Sequence, residues 1–84
     1  MAKHQEAADL REQLRLVEEE LAGVRRTAAQ LRAEIGSRSD GAVDTEDIAS
    51  IITSAEEQDA VAASLATRRD DLQSRLDQIG ATGT

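Results

Sequence analysis

Apolar residues recur at alternating steps of three and four through both halves of this chain, and nothing else restricts its fold so tightly. In the first half they are Ala7, Leu10, Leu14, Val17, Leu21, Val24, Ala28, Leu31 and Ile35. This is an unbroken 3.5-residue repeat, the period of a helix that lays one seam against a partner helix. Ala7, Leu14, Leu21, Ala28 and Ile35 take the a positions of the heptad, and Leu10, Val17, Val24 and Leu31 the d positions. Charged residues such as Arg11, Glu18, Arg25 and Arg32 fill the other faces. This helix reads as narrow, almost strictly a/d. The second half repeats the pattern with Ile48, Ile51, Ala55, Gln58, Ala62, Leu65, Arg69, Leu72, Leu76 and Ile79.

Punctuation divides the two seams. Gly36-Ser37-Arg38-Ser39-Asp40-Gly41 has turn chemistry. Gly36 fits the left-handed position that closes a helix, and Arg32 then sits in the last turn, where a cation suits the helix dipole. Asp44 is the expected N-cap of the second helix, Glu46 and Asp47 place negative charge in its first turn, and Val43 and Ile48 have the spacing of a hydrophobic staple. Gly80 is expected to end it. The chain is therefore predicted to be one all-α domain, an antiparallel two-helix coiled-coil hairpin. Helix 1 covers about 3–35, a loop 36–43, helix 2 about 45–79, and a frayed tail 80–84.

Composition agrees with this architecture and excludes others. Leu, Ile and Val make up only 17 of 84 residues and Phe is absent, too few for a safe compact globule of this size. Alanine, with 15 copies, and Glu, Arg and Gln favour helix. With no Cys and one His, neither a disulfide scaffold nor a multi-histidine metal site is available within one chain. No aromatic residue exists to stack on bases, and a net charge of −7 repels phosphate. No run of residues is apolar enough to span a membrane, and the polar face of helix 2 is acidic rather than membrane-seeking. The first residues, Met1 to Glu6, lack a signal-peptide core, so the expected compartment is the cytoplasm.

Two registers of the hairpin differ by one heptad. The preferred one matches Ile35 with Ile51, Leu21 with Leu65, Leu14 with Leu72 and Leu10 with Leu76. It also brings Arg25 to Asp59 and Glu20 to Arg68, and lets helix 2 overhang the loop end by about two turns. Exposed ion pairs are worth only a few tenths of a kcal/mol, so the matched apolar layers dominate the choice. Gln58 and Arg69 form polar layers in the seam, which fix register and partner number at some loss of stability. Arg69 is expected to lay its stem on the seam and send its head to Glu18 or Glu20.

Helix 2 carries more apolar surface than one partner needs. Ile52 lies at an e position and Val61 at a g position, with Ala63 and Ala66 nearby. A wider stripe suits a helix that packs against more than one neighbour, so these four residues are expected to form a self-association face. The expected outcome is a homodimeric four-helix bundle, or a complex with another helical protein.

The residues give no sign of catalysis. His4 stands near the N-terminus, Glu18-Glu19-Glu20 and Asp70-Asp71 point in different directions around a helix, and Ser37, Ser39 and Ser64 have no base beside them. The segment Asp40 to Asp44 lacks the spacing of a calcium loop. No enzymatic activity, cofactor, metal, nucleic acid or membrane is expected. The functional expectation is an acidic coiled-coil protein acting as adaptor, scaffold or regulator. Two alternatives stand beside it. The size, acidity and absence of Cys are similar to those of the small helical-hairpin substrates of type VII secretion, a resemblance of architecture. That family's Trp-x-Gly turn is absent from Gly36–Gly41, and no Tyr is present for its C-terminal export motif. The other alternative is a small-molecule sensor with a pocket in the bundle core.

Overall fold

A computed structural model of the protein describes residues 2–38 and 45–82. It contains two helices, α1 (Ala2–Arg38) and α2 (Thr45–Thr82), packed against each other as a hairpin. Helices of 37 and 38 residues rise about 55 and 57 Å at 1.5 Å per residue. The molecule measures 63 × 14 × 14 Å, so it is a rod with one seam along its length.

The seam is the one the spacing predicts. Ala7, Leu10, Val17, Leu21, Ala28, Ala55 and Leu72 are buried, and every other a and d residue of both helices is half-buried. Leu10, Val17 and Leu72 pack together, flanked by Leu14, Leu65, Leu76 and Ile79. Away from the seam the threonines satisfy themselves locally. The hydroxyls of Thr27, Thr53 and Thr67 donate to the carbonyls of Gly23, Ala49 and Ala63, one turn back, at 3.0–3.1 Å.

The helix ends differ from expectation. Gly36 and Gly80 are helical, and no described glycine has a positive φ. Each helix runs on two residues past its glycine, about half a turn. An exposed glycine lacks the Cβ that stabilises a helix, yet the i→i−4 ladder propagates through it at a loss of only about 1 kcal/mol. Arg32 consequently lies well inside α1 rather than in its last turn. The expected N-cap Asp44, the staple residue Val43 and the turn from Ser39 to Gly41 lie outside the described residues. Glu46 and Asp47 do occupy the first turn of α2.

Candidate functional site

Helical geometry separates the residues expected to form one face. Ile52 and Val61 are nine residues apart, which is two and a half turns, so they project from opposite sides of α2. Ala63 and Ala66 lie on the Ile52 side. The four residues therefore cannot bind one flat partner together. Ile52 is 40% exposed and Val61 46% exposed; Ala63 is exposed and Ala66 half-buried. The e letter of Ile52 and the g letter of Val61 already set them on opposite flanks of the seam, in agreement with the angle between them.

Leu16 is a third exposed large apolar residue, at 50%. It occupies a c position of α1, on the flank that carries Gln13 and Glu20. Reading α1 as almost strictly a/d overlooks it. The signal was the spacing itself, since Leu16 stands two residues from Leu14 and one from Val17, and neither step belongs to the seam.

The ion pairs also depart from expectation. Asp59 accepts from Arg32, one heptad along α1 from the expected Arg25. Side-chain direction accounts for the choice. Long side chains on a helix lean toward its N-terminus, so Arg32 leans toward the level at which Asp59 stands while Arg25 leans away from it. Among the described residues neither Arg25 nor Arg68 makes an ion pair, so the expected Glu20–Arg68 contact is absent. Arg69 is half-buried on the seam, and its head turns to the adjacent Asp70 at 3.1–3.2 Å rather than to Glu18 or Glu20. The other polar seam residue, Gln58, is half-buried as well.

On α1, Arg15 donates to Glu12 at 2.6 Å and to Glu19 at 2.7 Å. These hydrogen bonds and the adjoining charge hold the Glu12 carboxyl below its usual range and raise the Arg15 guanidinium further. All three side chains are well exposed, so the cluster is a solvated ladder along one helix.

An open groove of about 250 Å³ is lined by Glu18, Leu21, Ala22, Arg25 and Arg69. It lies on the flank of the hairpin that also carries Ile52 and the Arg32–Asp59 pair. Among the described residues no group of three or more His, Cys, Asp or Glu side chains is placed to hold a metal ion. No described helix is long and apolar enough to cross a membrane. The chain matches no family model, no curated protein and no solved structure.

Proposed function

We propose that this chain is a non-enzymatic helical hairpin that works through helix–helix association, first with a second copy of itself, as an adaptor, scaffold or regulator in the cytoplasm. One observation carries the reading, and it is the imbalance between core and surface. Seven described side chains are buried, three of them alanines, while Leu16, Ile52 and Val61 stay exposed. So thin a core leaves a small domain without disulfides or metal marginal on its own. Burying a large apolar side chain contributes about 1.5–3 kcal/mol, so an added helical layer would repair much of that deficit. A four-helix bundle supplies such a layer.

Sedimentation equilibrium of the full chain over a range of concentrations tests the proposal, because the mass it reports is independent of the rod shape. A mass near twice 9.0 kDa is expected. A mass of 9.0 kDa at every concentration overturns self-association.

A further inference from the structure

The hairpin has two long sides, and their charge patterns differ. One side is made of the e and b columns of both helices, and the Arg32–Asp59 pair crosses the seam there. On that side α1 shows Arg11, Arg15, Arg25 and Arg32 against a single Glu18, a net +3. Beside it α2 shows Glu56, Asp59, Asp70 and Asp77, with Arg69 reaching Asp70 from the seam, a net −3. The other side carries the g and c columns. There α1 is net −4 and α2 net −1, so both of its helices are acidic.

Resting on the self-association proposed above, we infer that the partner is a second copy docked on the Arg25–Ile52 side, related by a two-fold axis parallel to the rod. That operation sets the cationic column of each α1 over the acidic column of the partner's α2, antiparallel, with both loops at the same end. Turning the copy end over end instead would stack +3 on +3 and −3 on −3. The opposite side, with its net charge of −5, repels a copy of itself in either orientation. Long-range complementarity of this kind selects orientation and suppresses wrong pairings. Three further observations lie on the chosen side: exposed Ile52, the open groove, and an Arg25 that pairs with no described residue of its own chain. The side runs the 63 Å length of the rod, which gives a contact between copies the full length of both helices. Val61 and Leu16 belong to the other side and stay outside this contact.

The chain has no Cys, so Ser37→Cys gives a unique attachment point for a nitroxide near the loop end. Electron–electron dipolar spectroscopy then reads the orientation in the full-length chain. Loops at one end place the two labels about two helix diameters apart, roughly 20 Å, whereas the end-over-end dimer places them about 50 Å apart. The expected result is the short distance, together with an approximately tenfold or larger loss of dimer affinity in Arg25→Glu and in Ile52→Glu and none in Leu16→Glu or Val61→Glu. Circular dichroism of each variant keeps loss of helix separate from loss of contact. A dimer with the long distance, or one broken by Val61→Glu and indifferent to Arg25→Glu, overturns this inference and leaves self-association standing. A monomer at every concentration removes both.

Discussion

The two halves of the hairpin are packed from different materials. Far from the loop, Leu10, Val17 and Leu72 form a leucine-rich cluster reinforced by Leu14, Leu65, Leu76 and Ile79. Toward the loop the buried residues are Ala28 and Ala55, while Leu31, Ile35, Ile48 and Ile51 remain half-buried and Gln58 interrupts the seam. Both halves keep the same 3.5-residue spacing. The difference shows that spacing specifies where a seam runs, whereas side-chain volume decides how much stability each turn contributes. The leucine half should hold the molecule together and the alanine half should open first.

The most direct way to break that comparison is to hollow out the strong half. Leu72 is only 2% exposed, so Leu72→Ala removes a large buried side chain and leaves a cavity. It should destabilise the hairpin by about 3 kcal/mol. Ile51→Ala, at a half-buried position of the weak half, should cost about 1 kcal/mol. Urea unfolding followed by circular dichroism at one fixed protein concentration compares them, since association would otherwise shift both midpoints. Equal losses would mean that the two halves share one uniform core.

Strengthening the weak half should also be possible. Gln58→Leu replaces a half-buried polar seam residue with an apolar one and should add about 1 kcal/mol, raising Tm by roughly 5 °C. If register depends on this polar layer, the gain will come with a broader transition. Gly36 offers a smaller gain. It is helical with φ negative, and a Cβ built there meets nothing within 4 Å. Gly36→Ala should therefore stabilise by about 0.5–1 kcal/mol. If Gly36 instead closed the helix in a left-handed conformation, the same change would destabilise, so the sign of the shift in thermal midpoint decides where α1 ends.

Much of the fold was legible because a seam is a one-dimensional pattern. Each residue from Ala7 to Ile35 on α1, and from Ile48 to Ile79 on α2, that the repeat assigns to a or d is buried or half-buried. What was not legible depends on quantities the repeat does not contain. Glycine is a weak stop signal where nothing crowds it, so Gly36 and Gly80 did not end their helices. The partner of Asp59 turns on the lean of arginine side chains, which heptad letters ignore. The separation of Ile52 from Val61, by contrast, was legible, since their e and g letters already put them on opposite flanks of the seam, and only a count of apolar residues along α2 hides it. Leu16 sits at a c position, off the seam, where the 3.5-residue repeat carries no information about exposure.

The smallest expected effect concerns the ladder Glu12–Arg15–Glu19, which lies in the strong half and is exposed throughout. Arg15 holds the Glu12 carboxyl below its usual range by hydrogen bonding and by charge. Because its folded pKa is lowered, Glu12 favours the folded state fully above the ordinary carboxylate range, and that contribution fades as pH falls through the lower folded value. Carboxyl-carbon NMR through the acid range should show Glu12 titrating below a free glutamate, and Arg15→Gln should return it to the ordinary value. The thermal midpoint of that variant should barely change near neutral pH, since exposed pairs of this kind contribute little. A large loss of stability in Arg15→Gln would instead show that the charged ladder supports the leucine half alongside its core, and the contrast between the two halves would then owe as much to their surfaces as to their seams.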